Sequence, residues 1–178
     1  MKLRNLFLSL ALVVPYQNLF LQYDGARWVD RASQIRAESA YNPNAKSYII
    51  NKQGMRVPCA WGLSQFTMDT WRIWGKPKGV SPLDPEAAIS ANSRYMLWLE
   101  AISAKLDPAN TWDGALAGYN AGIGNYEQAI WLSEQLGGNM TWQQTLPNIT
   151  HANAQQTIDY VKRIHQYKNE IQAKLGKS

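Results

Sequence analysis

The sequence predicts a mainly α-helical (α+β) domain in which one small β-hairpin is inserted between the second and third helices. Most of the chain carries apolar residues at spacings of three and four, the period of an amphipathic helix. Only YII and MRV, on either side of the polar NKQG turn, are typical of strands. With 46% hydrophobic residues, including eight Trp, nine Tyr and three Phe, the chain of 178 residues can bury one core.

The amino-terminal segment, residues 1–14, supports two interpretations. Lys2 and Arg4 precede the apolar run LFLSLALVV, as in a secretory signal, but no small-x-small cleavage site follows cleanly before Pro15. The run is also shorter than the roughly 20 residues that a membrane span needs. Residues 1–14 are therefore either an export or membrane-associating segment or part of a packed N-terminal helix, and residues 15–178 form the single domain. The apolar face of a helix beginning at Pro15 would comprise Tyr16, Leu19, Phe20 and Tyr23.

Helix boundaries follow from Gly, Pro and Asp signals. The second helix begins after Asp24-Gly25 and ends by Asn42, because a following proline disfavours the α conformation. Asp84-Pro85-Glu86 combines a cap residue with proline in the first turn, so a long helix begins there. The core-facing stripe predicted for the second helix is Trp28, Ala32, Ile35 and Ser39, and the amphipathic face predicted for the long helix is Ala88, Asn92, Tyr95, Leu99, Ile102 and Leu106. The other predicted helices carry Trp71 and Trp74; Trp112, Leu116 and Tyr119; and Ile158, Val161, Ile164 and Ile171.

The carboxyl-terminal half is predicted to contain three helices after the long one. Thr111 is expected to cap the first of them, which stops at Gly122 and Gly124. Residues 126–136 form the next helix, and the last begins at about Ala152.

The charge balance favours an anionic partner. A net charge of +5 and a pI near 9.3 suit nucleic acid, a membrane surface or a cell-wall polymer. The basic residues are scattered along the chain, whereas base readout needs a clustered patch. We therefore expect weak attraction to a polyanion and no nucleic acid readout.

Cysteine and histidine content argues against thiol and metal chemistry. Cys59 is the only cysteine, so an intramolecular disulfide is excluded. His151 and His165 are the only histidines, and no His/Cys pair has ligand spacing. We expect neither a Cys59 nucleophile, nor a metal site, nor a cofactor.

Glu38 is the candidate for acid–base chemistry. It falls in the last turn of the predicted second helix, where the negative end of the macrodipole opposes ionisation. Ala37, Ala40 and Tyr41 supply apolar neighbours, and Arg36 points to another face. Desolvation and the dipole would raise the pKa of Glu38, as a general acid at neutral pH requires.

Two other segments carry groups suited to sugar binding. In GLSQ, residues 62–65, the glycine lets the backbone approach a ligand and Gln65 offers an amide donor and acceptor. GYNAG, residues 118–122, ends a helix with the phenol of Tyr119 and the amide of Asn120. Amides bind sugar hydroxyls, and aromatic rings pack on the apolar faces of sugars. Each segment also has a structural explanation: a turn, a core tyrosine and a helix stop.

The segments ESAYNPNAKS, GLSQF and GYNAG, in this order, resemble the three motifs of the soluble lytic transglycosylase catalytic domain, a lysozyme-like fold. LDPEAAISANSRYML resembles the long central helix of that family, and TIDYVKRI resembles its closing Tyr-Val segment. The resemblance covers roughly residues 15–167. It implies an enzyme that cleaves the β-1,4 bond between N-acetylmuramic acid and N-acetylglucosamine without water.

The resemblance makes Glu38 the single catalytic acid/base. Glu38 would protonate the glycosidic oxygen and then accept the proton of the muramoyl 6-hydroxyl as that oxygen closes a 1,6-anhydro ring. The substrate supplies the nucleophile, so the second carboxylate of ordinary glycosidases is unnecessary. The sequence agrees, because no acid occurs between Glu38 and Asp69 or inside the other two motifs.

The resemblance also implies substrate-binding residues. Ser47 matches a serine that contacts substrate near the cleavage point, and Gln65 matches the glutamine of the second motif. Tyr119 and Asn120 match the pair that orients the catalytic Glu and lines the cleft. Tyr160 matches the tyrosine of the closing segment.

Four departures separate this chain from the family pattern. One is expected to be mild, namely Gly118 where Ala is usual. Ser64 stands where Met is usual, which would replace a flexible apolar sugar contact by a small hydroxyl. Gln156 stands where an acid usually precedes Thr, which could loosen the network around the motif tyrosines. The link from Ser47 to Ala60 is longer than usual and contains the predicted hairpin, which we expect to form an extra cleft wall.

Peptidoglycan glycan strands are the substrate that the resemblance implies, in the periplasm or cell envelope, reached by export or virion delivery. Small proteins resembling this family serve secretion and conjugation machines and phage particles, so virion or secretion-machine proteins are expected partners. Two alternatives stay open. One is a hydrolytic muramidase of goose-type lysozyme character in which Asp69 activates water, and the other is a non-catalytic wall-binding or virion structural protein.

Overall fold

Helices make up most of the computed structural model, which describes residues 12–149 and 152–176. The mainly α architecture with a single two-stranded antiparallel sheet in this part of the chain confirms the predicted fold class. The helices are α1 (Gln17–Asp24), α2 (Trp28–Ser39), α3 (Met68–Trp74), α4 (Pro85–Leu106), α5 (Thr111–Ala121), α6 (Ile123–Gln135), α7 (Trp142–Thr145) and α8 (Ala154–Leu175), and the strands are β1 (Lys46–Ile50) and β2 (Arg56–Trp61).

The first described residues already belong to the packed domain. Val14 is 7% exposed and lies in the same core cluster as Phe20 of α1, which is fully buried. The Gln17 side chain accepts a hydrogen bond of 2.9 Å from the Val13 amide, which ties the entering chain to α1. Residues 1–11, which hold most of the predicted apolar segment, lie outside the described residues. Within the described ranges, no helix is long and apolar enough to span a membrane.

Helix α2 ends earlier than the proline alone requires. Ala40 and Tyr41 both adopt positive φ angles, 50° and 64°, and the Ala40 amide donates to the Arg36 carbonyl oxygen at 2.9 Å. The predicted inward stripe holds from Trp28 to Ile35. At Ser39 it is wrong, because this residue is only partly buried and its hydroxyl donates to the Ile35 carbonyl. Helix α2 packs along α8.

The hairpin is longer than the sequence indicates. Strands β1 and β2 pair from Ile50 opposite Arg56 to Lys46 opposite Trp61, with a bulge between Ser47 and Tyr48. Its turn is closed by the Asn51 side chain, which accepts from two following amides. The extra pairs escaped prediction because their residues, KS and PCAW, do not alternate between apolar and polar.

Helix α4 runs through the middle of the fold, against α1, α3 and α5. Its predicted start is confirmed, because the Asp84 carboxylate accepts from the Ala87 amide at 2.8 Å. Leu99 and Asn92 are fully buried as predicted. Ile102 is only partly buried, and the neighbouring Ser103 takes the buried position and bonds to the hydroxyl of a core tyrosine on α6.

Two boundary predictions in the carboxyl-terminal half are wrong. Thr111 is the first residue of α5 and does not cap it, and Asn110 precedes the helix without a side-chain cap. Gly122, at a φ of 92°, separates α5 from α6, whereas Gly124 lies inside α6. Helix α7 was not predicted, because four residues are too few to show a helical period.

Candidate active site

Glu38 lies where α2 ends against α8. Tyr160 of α8 donates its hydroxyl hydrogen bond to Glu38 Oε1 at 2.5 Å. Tyr160 is 2% exposed, so the packing of α8 on α2 fixes its ring. Glu38 as a residue is half-buried.

Burial raises the pKa of Glu38 to about 7. The hydrogen bond from Tyr160 and the charge of Arg163 both act in the opposite direction. The direction of this shift and desolvation as its main cause confirm that part of the prediction from sequence, whereas the helix dipole is not among the causes of the shift. Arg36 points away from Glu38 as predicted and instead bonds to Glu170 at 2.7 Å.

Arg163 was missed by the sequence argument. It is exposed on α8, three residues after Tyr160 and so on the neighbouring helical turn. Its spacing from Tyr160 was the available signal, since a helix that presents Tyr160 to Glu38 must also bring residue 163 near.

Ser47 and Gln65 form a bonded pair at the base of the hairpin. The Ser47 hydroxyl donates to Gln65 Oε1 at 2.7 Å. Gln65 Nε2 donates to the carbonyl oxygens of Gly62, at 2.8 Å, and Ala45, at 3.2 Å. The side-chain amide of Gln65 therefore stabilises the loop, in which Gln65 itself has a φ of 47°. Both amide hydrogens are used within the protein, so the expectation that they are free to bind a ligand is wrong. The exposed Ser47 hydroxyl keeps acceptor capacity.

Gly62 serves chain packing. Its φ is 74°, and a Cβ atom there would lie 2.0 Å from the Pro82 carbonyl oxygen. The backbone that approaches this glycine belongs to the protein itself, which corrects the expectation that the space is for a ligand.

Ser64 does not face a cleft. It is 1% exposed, and its hydroxyl donates to the Ala88 carbonyl oxygen at 3.1 Å. The expectation of a small hydroxyl contact to sugar is wrong, because the Ser64 side chain fastens the motif loop to α4.

Tyr119 links the third motif to the second. Its hydroxyl donates to the Ser64 carbonyl oxygen at 2.5 Å and accepts from Asn92 Nδ2 at 3.3 Å. Burial and the nearby charge of Glu38 raise the pKa of Tyr119 well above its ordinary value. Tyr119 thus lies near Glu38, but the hydrogen bond that orients the carboxyl comes from Tyr160, not from the Tyr119–Asn120 pair.

Asn120 joins the end of α5 to the start of α8. Its Oδ1 accepts from the buried Thr157 hydroxyl at 2.9 Å. The neighbouring Gln156 is exposed and accepts from Asn153 at 2.8 Å. The expected loosening around the motif tyrosines is not observed, because the Gln156 side chain lies outside their network.

Metal and second-acid chemistry find little support in the described ranges. No group of three His, Cys, Asp or Glu side chains there could hold a metal ion. Asp69, the candidate second acid, is 88% exposed on α3 and pairs with Arg72 at 2.7 Å.

Comparisons with known proteins relate this chain to one family. The family model described as Transglycosylase SLT domain matches residues 32–139. The chain is 31% identical over 177 residues to the membrane-bound lytic murein transglycosylase F of Alteromonas mediterranea, covering 89% of this chain and 35% of that protein. It is 30% identical over 187 residues to the protein of the same name from Histophilus somni, covering 94% and 36%. The chain therefore spans about a third of the length of these curated relatives.

A solved structure is similar in fold. The crystal structure of the 70 kDa soluble lytic transglycosylase of Escherichia coli matches with a TM-score of 0.64 and 24% sequence identity. The match covers 90% of this chain and 24% of that one. The lysozyme-like fold expected from the sequence is thus confirmed.

Proposed function

This chain belongs to the Transglycosylase SLT domain family, and we propose that it is a lytic transglycosylase. Its substrate would be the glycan strands of peptidoglycan, cut at the β-1,4 bond between N-acetylmuramic acid and N-acetylglucosamine. The observation that carries the proposal is one half-buried carboxyl, Glu38, whose pKa burial raises to about 7 and which accepts a hydrogen bond from Tyr160. At this pKa the carboxyl can act as an acid and as a base near neutral pH.

The reaction uses Glu38 twice. In the first step its carboxyl proton moves to the glycosidic oxygen as the bond from that oxygen to the muramoyl C1 breaks. In the second step the muramoyl 6-hydroxyl oxygen bonds to C1, and its proton returns to the Glu38 carboxylate. The product is a 1,6-anhydro end, no water is consumed, and the enzyme regains its starting protonation state.

The surroundings of Glu38 favour this route over hydrolysis. Ordinary glycosidases place two carboxyl groups about 5–10 Å apart. In the described part of the chain, no carboxylate is among the groups that shift the pKa of Glu38. Asp69, which a hydrolytic muramidase would use to activate water, is exposed and paired with Arg72.

The other motif residues are assigned supporting roles in the same site. Ser47, with its exposed hydroxyl, is the proposed hydrogen-bonding contact to the glycan strand. Gln65, Tyr119 and Asn120 line the site, and their polar atoms hold the loop and helix ends that shape it. Tyr160 orients the acid.

Product mass tests the proposal directly. Purified murein digested by the protein is expected to release fragments with anhydro ends, each one water lighter than a hydrolysed end. The Glu38→Gln variant is expected to release none, and Asp69→Asn to match the parent. Hydrolysed ends would instead indicate a goose-type muramidase, and the absence of any product from the parent protein would indicate a wall-binding structural protein.

The proposed setting is local opening of the wall in the periplasm or cell envelope. Phage DNA entry and the assembly of secretion or conjugation machines are the processes that need such opening, and their proteins are the proposed partners. The net charge of +5 supports adsorption to an anionic wall polymer. Any membrane association would involve residues 1–14.

A further inference from the structure

A series of aromatic rings leads from the candidate active site to the protein surface. The Tyr119 ring lies 5.3 Å from the ring of Tyr95, centroid to centroid. Tyr95 stacks on Trp98 at 5.9 Å with 20° between the ring planes. Trp74 closes the outer end, 5.2 Å from Tyr95 and 5.8 Å from Trp98. The rings come from α3, α4 and α5, so side chains of three helices build the series.

The outer end of this series is exposed. Trp98 is 41% exposed, and Trp74 is only partly buried. At the inner end, Phe66 is 2% exposed and contacts the rings of both Tyr95 and Tyr119. Core packing accounts for the inner rings, whereas the outer rings leave aromatic surface that a ligand can reach.

The main chain that carries Trp74 is also held in place. Arg94 donates from one guanidinium nitrogen to the Trp74 carbonyl oxygen at 2.7 Å and from another to the Ser90 hydroxyl at 2.7 Å. The end of α3 is thereby fastened to α4. A ligand that binds on these rings meets a surface that needs little further ordering, which favours affinity.

We propose that Trp74 and Trp98 form a second glycan subsite, which binds a sugar of the same strand away from the bond that Glu38 cleaves. This inference rests on the proposed function. The apolar faces of sugar rings pack on exposed aromatic rings, and an indole offers a large and rigid area. Continuity carries the assignment, because Tyr95 is the single ring between Trp98 and Tyr119 of the site.

A consequence of this arrangement is a dependence on substrate length. A short oligosaccharide fills the groups around Glu38 without reaching Trp98, whereas a long strand engages both. The subsite therefore affects the binding of long strands, while the chemical step stays with Glu38.

The test uses the Glu38→Gln protein, which binds without turnover, and titrates it with chitotriose and chitohexaose by calorimetry. Adding Trp98→Leu, which keeps an apolar side chain but removes the ring, is expected to weaken chitohexaose binding roughly tenfold. Chitotriose binding is expected to stay the same. Trp98→Phe should recover most of the loss.

Trp131 provides a matched control. It is 59% exposed on α6 and takes part in none of the ring pairs found among the described residues. Trp131→Leu is expected to leave both affinities unchanged. Thermal unfolding of each variant confirms that the fold is retained.

Two results would overturn the subsite: equal chitohexaose affinity with and without Trp98→Leu, or an equal loss for both oligomers. A third result would also overturn it: chitohexaose binding to neither protein would mean that these rings bind no glycan. These binding measurements need no catalysis. Failure of the subsite proposal can therefore be distinguished from failure of the proposed function, which the product-mass experiment tests. In the active enzyme, Trp98→Leu should raise KM for long strands and leave kcat unchanged.

Discussion

Replacing Glu38 by Gln tests the property on which the site depends, because the amide keeps the shape of the carboxyl but cannot ionise. Tyr160 can still donate its hydrogen bond to the amide oxygen, so the local geometry is retained. The variant should therefore differ from the parent protein in the pH dependence of its stability. The free energy of unfolding is the quantity to follow.

The sign follows from the direction of the pKa shift. Burial raises the pKa of Glu38 from 4.5 to about 7. Between these values the folded protein keeps a proton that the unfolded chain has released, so the parent loses stability as the pH rises. Below 4.5 both states are protonated and the burial of Glu38 costs nothing in ionisation. Above 7 the full cost is present.

The shift from 4.5 to about 7 corresponds to about 3 kcal/mol, at roughly 1.4 kcal/mol per pH unit. Partial exposure of Glu38 lets solvent screen the charge, which lowers the expected effect to about 1–3 kcal/mol. Glu38→Gln avoids this cost. The stability of the variant relative to the parent should thus rise by about 1–3 kcal/mol between about pH 4 and pH 8.

Urea unfolding followed by tryptophan fluorescence at a series of pH values measures this difference. The comparison at the acidic end is the internal control, since there both proteins carry an uncharged side chain at residue 38. If the two stabilities stay parallel across the whole range, Glu38 ionises as an exposed carboxyl does and the reasoning about the site is refuted.

Two further predictions concern positioning and packing. Tyr160→Phe removes the hydrogen bond that lowers the pKa of Glu38, so the alkaline limb of the pH profile of murein cleavage should move to higher pH. The kcat of this variant should fall by about tenfold or more. Tyr119→Phe is the control and should leave the alkaline limb in place, because the Tyr119 hydroxyl does not bond to Glu38. Gly62→Ala should cost at least about 2 kcal/mol more than Gly54→Ala in denaturant, because the φ angles are 74° and 75° but only the first Cβ would clash. An unmoved alkaline limb, or equal losses for the two glycines, would contradict these assignments.

The helical framework could be predicted because its signals are local. The amphipathic period of a helix and the Asp-Pro or Gly residues at its ends can be recognised from residues that are close together in the sequence. Helix α4 begins at Pro85, as these residues indicate. Prediction failed where the period is too short to detect, as in α7, or where a neighbouring element decides which face turns inward. Ser103 lies inside in place of Ile102 because a tyrosine of α6 offers its hydroxyl a partner.

The site was predictable to a different degree at each residue. The direction of the pKa shift of Glu38 was predicted from its helix end and its apolar neighbours, whereas the burial that raises the pKa is produced in the fold by the packing of α2 on α8. The Tyr160 contact spans 122 positions, so only the family resemblance pointed to that residue. The hydrogen bond from Tyr119 to the Ser64 carbonyl oxygen could not be predicted, because every residue has a main-chain carbonyl and the sequence does not indicate which one accepts.

A single carboxyl that must give and then receive a proton imposes a balance on its surroundings. In the proposed reaction, burial keeps the proton of Glu38 in place at neutral pH, and a pKa raised much further would make its transfer to the glycosidic oxygen harder. The hydrogen bond from Tyr160 and the charge of Arg163, without burial, would keep it ionised and unable to donate. Near pH 7 the two protonation states are similarly populated only because these effects oppose each other. The fit of α2 on α8 therefore sets the chemistry as well as the geometry, since it buries Glu38 and delivers Tyr160 and Arg163 in the same contact.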